Sequence, residues 1–105
     1  DMLVIRGINV FPSQIEHALL GIPEVAEHFM IEVDRKGALD DMLVRVELAR
    51  EAFSDKISDL MRIRQHVEKV LKSSLNVQVS VELTEPGTLP RFEGKAKRVI
   101  DKRLI

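Results

Sequence analysis

The last fifteen residues of this 105-residue chain, from Arg91 onward, hold six basic side chains against two acids, Glu93 and Asp101. Three kinds of chemistry could use them. One is a solvated surface tail. A second is nucleic-acid binding, in which clustered cations neutralise phosphates. It is poorly supported, because only Phe92 interleaves with the charges and the chain has no tyrosine or tryptophan to stack on bases. A third is a loop that carries one lysine to an anionic substrate. Lys95 would place a compact charge on a long, flexible stem, and Gly94 beside it would let the backbone approach a ligand closely. The surrounding stretch EPGTLPRFEGKAKR, Glu85 to Arg98, contains two prolines and two glycines. These oppose both helix and sheet. A long irregular loop in a small domain is unusual unless it is functional or disordered.

The other reactive side chains converge less. His17, His28 and His66 fall on three separate elements with no metal-ligand spacing. No serine or histidine stands where a nucleophile and its base would. The pairs Asp40-Asp41 and Glu24/Glu27 read as turn and surface charge, and RGIN has too little glycine for a phosphate loop. Met42 and Met61 read as core. A net charge of -1 gives no drive toward nucleic acid or anionic membrane. The absence of cysteine excludes disulfides and thiolate metal sites and fits a reducing cytoplasm. No apolar run approaches the roughly 18 residues of a membrane-spanning helix, and the opening residues do not read as a signal peptide.

These residues must be positioned by ordinary elements. LVIRGINV reads as a short hairpin or bent strand at Gly7. In FPSQIEHALLGIP, Ser13 and Glu16 have capping-box spacing, Ile15, Leu19 and Ile22 repeat helically, and Gly21 and Pro23 supply the stop. Phe29, Ile31 and Val33 alternate, as do Met42, Val44, Val46 and Leu48, which predicts two paired strands around the turn DRKGALDD. Ser54 then caps a long amphipathic helix, about 55 to 72, with Ile57, Leu60, Met61, Val67, Val70 and Leu71 on its stripe. NVQVSVEL alternates again, with Val77, Val79, Val81 and Leu83 inward. The order β-α-β-β-α-β predicts an α+β, ferredoxin-like sandwich. Its two helices would cover one face of a mostly antiparallel sheet. An N-terminal strand or hairpin would precede it, an extended loop would follow, and a short helix near 98–103 would close the chain.

Two long segments at opposite ends of the chain resemble a known family. DMLVIRGINVFPSQIE, Asp1 to Glu16, resembles the segment that opens the C-terminal domain of acyl- and aryl-CoA ligases of the adenylate-forming superfamily. EPGTLPRFEGKAKRVIDKR, Glu85 to Arg103, resembles that domain's terminal motif, a GKxxR frame whose positions here are Gly94, Lys95 and Arg98. The wording is most similar to the family's phenylacetate-CoA ligase branch, and the resemblance spans nearly the whole chain.

The resemblance implies a lid domain over residues 1–105 that works with a large N-terminal domain of the same enzyme. The hinge would lie near or just before Asp1. Such enzymes join a carboxylate to ATP, giving acyl-adenylate and pyrophosphate, and then transfer the acyl group to CoA with release of AMP. By this resemblance Lys95 bridges the carboxylate and the α-phosphate in the first step. Gly94 and Arg98 support its loop. Gly7 lines the tunnel for the pantetheine arm in the second step, reached by rotation of the domain. Arg6 beside it is either a contact for a CoA phosphate or a solvated arginine. ATP and CoA are substrates of the full enzyme, Mg2+ is bound outside this domain, and the domain alone is expected to be inactive and without bound ligand. An aryl acid is the implied acyl substrate; neither nucleic acid nor membrane is an expected partner. Residues from about Glu85 to Lys97 are expected to be more mobile than the sheet. A competing reading is a stand-alone regulatory module of ferredoxin-like fold that binds a small ligand. Such a module would not need the extension after Leu83.

Overall fold

The opening strand pattern, LVIRGINV, folds back onto itself. In the computed structural model, which describes residues 2–91 and 98–103, β1 (Leu3–Ile5) pairs antiparallel with β2 (Ile8–Val10) in a two-stranded sheet. Arg6 and Gly7 form the two-residue turn, at φ 51° and 79°. Two positive φ values are the type I′ pattern, whose twist matches that of the flanking strands.

Helix α1 (Pro12–Leu20) follows directly. Its start lies two residues before the spacing of Ser13 and Glu16 suggests. Phe11 is the N-cap, Pro12 fills the first helical position, and the Gln14 side chain accepts the Phe11 N–H at 2.9 Å. Ile15 and Leu19 are buried. Gly21 ends the helix as expected.

The central hairpin is longer than its alternation alone requires: β3 spans Val25–Lys36 and β4 spans Leu39–Leu48, paired antiparallel with an irregularity between Val25 and Phe29. Helix α2 (Ile57–Leu75) buries Ile63, Val67, Leu71 and Leu75, a stripe with a four-residue step. Asn76, at φ 59°, closes it in the left-handed conformation and donates its N–H to Lys72 at 2.9 Å. Ile57 and Met61, read from sequence as core-facing, are exposed, whereas Met42 is buried as expected. Ser54 does not cap the helix directly. Its Oγ accepts the Lys56 N–H at 3.1 Å, just ahead of the first turn.

Strand β5 (Ser80–Thr84) lies parallel to β4, and β6 (Val99–Asp101) lies parallel to β3, giving a four-stranded order β5-β4-β3-β6. The class is α+β, with two helices, as read from the sequence. Two details differ. The sheet is mixed, with one antiparallel and two parallel pairs, because the N-terminal hairpin keeps to itself and β6 takes the edge beside β3. The closing helix expected near 98–103 is instead this strand. Ile31, Glu32 and Val33 offer a free edge, and Lys102 N–H extends the pairing to Val33 O at 2.8 Å. Alternation holds elsewhere: Phe29, Ile31, Val33, Met42, Val44, Val46, Leu48, Val79 and Val81 face one core with both helices.

Candidate functional site: a hairpin turn and a loop root

Two segments that carry candidate residues are each gripped by a carboxylate of β4. The first is the Arg6–Gly7 turn. Asp40 Oδ2 accepts the Arg6 backbone N–H at 3.1 Å, and Asp40 O accepts Arg6 Nε at 2.8 Å. Asp41 takes Arg6 Nη2 at 3.3 Å. Asp40 is itself held by Arg35 Nε at 3.0 Å and Arg103 Nη1 at 3.3 Å. The Arg6 N–H, then the Arg35 guanidinium and the nearby charge of Arg103, hold the Asp40 carboxyl below its usual range. Asp40, read from sequence as plain turn charge, is therefore a junction of three arginines. Gly7 stands at the tip, and a Cβ built there would meet nothing within 4 Å. The turn thus presents bare backbone to open space. The Arg6 guanidinium is directed to Asp40 and Asp41.

The second segment is the root of the irregular loop. Glu47, only 3% exposed, lies on the face of β4 opposite the core. It accepts Gly87 N–H at 2.7 Å, Leu89 N–H at 3.3 Å, and both terminal nitrogens of Arg91 at 2.6 and 2.9 Å. The paired hydrogen bonds from Arg91, then those from the two amides, hold the Glu47 carboxyl down to about 2 despite its burial. Gly87 takes φ 80°, which lets the chain fold back over Glu47. Thr88 N–H and Oγ1 both donate to Glu85 O, and Leu89 is buried. In the segment 85–91, part of the stretch expected to be mobile, these hydrogen bonds tie the chain to β4; residues 92–97 of that stretch lie outside the described residues.

Beyond the loop, Arg98 Nη1 donates to Glu16 Oε2 of α1 at 2.7 Å, and its guanidinium lies 4.8 Å from the centroid of Phe29. Arg98 is thus restrained by α1 and by the Phe29 ring of β3. Gly94 and Lys95 lie outside the described residues. Gly7 and Arg98 are described and are held by different partners, one through β4 and the other through α1. Asp40, Glu47, Arg91 and Arg103 have no local sequence signal, since each acts on a segment distant along the chain. Among the described residues no group of three or more His, Asp or Glu could hold a metal ion, and no helix is long and apolar enough to cross a membrane.

The sequence matches the AMP-binding enzyme C-terminal domain over residues 7–103. Across 98% of its length it is 40% identical to a phenylacetate-coenzyme A ligase of Thermus thermophilus, and across 100% it is 37% identical to one of Escherichia coli. It spans about a quarter of those relatives, 26% and 24%. A solved domain of phenylacetate-coenzyme A ligase from Bacteroides vulgatus superposes with a TM-score of 0.85 at 34% identity, covering 98% of this chain and 93% of that one. A 2-hydroxyisobutyryl-CoA ligase, solved with its acyl-adenylate and CoA in the thioesterification state, superposes with a TM-score of 0.91 at 34% identity, covering 98% of this chain and 21% of that one.

Proposed function

The chain belongs to the AMP-binding enzyme C-terminal domain family, and from that premise we propose that it is the mobile lid, residues 1–105, of an ATP-dependent aryl-CoA ligase acting on phenylacetate. The observation that carries the reading is the 40% identity to a phenylacetate-coenzyme A ligase across 98% of the chain. A stand-alone regulatory module would not account for it.

In this reading the N-terminal domain of the same cytoplasmic enzyme holds ATP, its Mg2+ and the aryl acid. Lys95 enters that site for adenylation. It draws two anions together and stabilises the charge that develops at the α-phosphate, by positioning and by electrostatics. Gly94 gives its backbone room. Arg98, tied to Glu16 and stacked on Phe29, fixes one end of the loop, and Arg91 on Glu47 fixes the other. The domain then turns about a hinge near Asp1, and the bare Gly7 backbone lines the path of the CoA thiol. A relative solved in both a postadenylation and a thioesterification state supports two working positions.

The test is a split of the half-reactions in the full-length enzyme. Lys95→Ala should slow pyrophosphate exchange by about 10²–10³-fold, the usual loss for one such contact, and spare thioester release from synthetic acyl-adenylate. Gly7→Leu should do the reverse. Equal slowing of both halves by Lys95→Ala would contradict the reading. The 105 residues alone should form no acyl-CoA from ATP, phenylacetate and CoA.

A further inference from the structure

Arg6 occupies a backbone conformation that its side chain does not favour. At φ 51° it sits in the left-handed region, where glycine, asparagine and aspartate are at home. Type I′ turns usually place Asn, Asp or Gly first and Gly second. Here the second position obeys the rule and the first does not. Such a residue persists only where its surroundings over-determine it, and residues of this kind cluster at functional sites.

The surroundings are explicit. Asp40 Oδ2 receives the Arg6 N–H itself, at 3.1 Å, so the carboxylate fixes the backbone of the turn as well as the arginine's head. Asp40 O holds Nε of the same residue at 2.8 Å. On the strand entering the turn, Val4 O accepts Arg103 Nη1 at 2.6 Å, and that guanidinium also pairs with Asp40 and, at 2.9 Å, with Asp101. Asp40 and Arg103 are well covered, with side chains 12% and 11% exposed, whereas Arg6 is 38% exposed. One network thus fixes the backbone at Val4 and at Arg6 and leaves Gly7 bare.

We infer that Asp40 is a positioning residue for thioester formation, holding the Arg6–Gly7 turn in the shape that presents the Gly7 backbone to the thiol path. Arg6 is then a strut, its guanidinium engaged by Asp40 and Asp41, and not a ligand of a CoA phosphate. The inference rests on the reading of Gly7 given above.

The experiment uses the full-length enzyme and follows both half-reactions. A misplacement of about 1 Å costs about 10²-fold in rate, so Asp40→Ala should slow thioester release from synthetic acyl-adenylate by about that factor relative to pyrophosphate exchange. Arg6→Gly added to Asp40→Ala should recover most of the loss, because glycine holds positive φ unaided. A merely structural role would lower both halves together and give no selective recovery; either result overturns the inference. If Asp40→Ala does not fold, Asp40→Asn carries the test. It keeps the volume and one acceptor but loses the charge that faces Arg35 and Arg103. It should show the same selective slowing, smaller in size and again relieved by Arg6→Gly; no selective slowing overturns the inference. Gly7→Leu runs in parallel. If it slows thioester release while Asp40→Ala does not, only the inference fails. If it leaves thioester release intact, the reading of Gly7 fails and the inference falls with it.

Discussion

The two ends of β4 do the same job by different means. At its start Asp40 takes a backbone N–H from the hairpin turn, and near its finish Glu47 takes two from the loop root. The strand separates them by about 23 Å at 3.3 Å per residue. Glu47 is buried, and its partners all come from one short segment, Gly87 to Arg91. Asp40 stands among arginines from three parts of the chain, Arg6, Arg35 and Arg103. The first arrangement makes one segment depend heavily on one carboxylate. The second spreads a smaller load over several charges, of which Arg6 and Arg35 are exposed and open to screening by salt. A rigid strand with a clamp at each end can hold two segments without either disturbing the other.

The largest expected break in this comparison is Glu47→Ala. It leaves the buried Leu89 N–H without its acceptor and frees Arg91, so stability should fall by about 3 kcal/mol in a denaturant melt. A loss below about 1 kcal/mol would mean that the loop root is held by Leu89 packing alone. Acid sharpens the same point. The folded-state pKa of Glu47 lies below its unfolded value of 4.5. Its contribution is therefore complete above about pH 4.5 and is lost as pH falls through about 2. With Arg91 half-exposed, that contribution is on the order of 2–3 kcal/mol at neutral pH. Glu47→Gln should flatten the melting profile across that window, and an unchanged profile would remove Glu47 as its source. Arg98→Ala, which loses the Glu16 pair and the contact with Phe29, should cost about 1–2 kcal/mol by thermal melting. The smallest effect belongs to Asp40→Asn. The melting temperature should scarcely move, while added salt should loosen the wild-type turn more than the loop root, as read by amide exchange at Arg6 and Leu89.

The same contrast explains what could be read in the chain alone. The hairpin at Gly7, both helices and the alternating strands follow from periods of two and 3.6 and from Gly and Pro at their ends. Lys95 stands out locally as the cation of a glycine-bearing loop, but its role, like that of Gly7, comes from resemblance to a family. Glu47 sits at an outward position of its strand, between Val46 and Leu48, where an acid reads as solvated surface. Its partners lie 40 to 44 residues away, and no local pattern encodes that distance. Arg98 to Arg103 carries the spaced charges of a helix, yet three of its residues form β6 because the edge of β3 offers hydrogen bonds that a short, isolated helix would lack. The first turn of α2 misleads in the opposite direction. Ile57 and Met61 have the right period, yet both are exposed.

The central claim is that β4 holds the two segments independently. Native-state hydrogen exchange on the protein tests it most directly, comparing Glu47→Gln and Asp40→Asn with the parent. The account predicts a crossed pattern. Glu47→Gln should lower protection at Gly87 and Leu89 and leave Arg6 unchanged, and Asp40→Asn should lower it at Arg6 and leave Gly87 and Leu89 unchanged. Loss of protection at both segments from either substitution would contradict it.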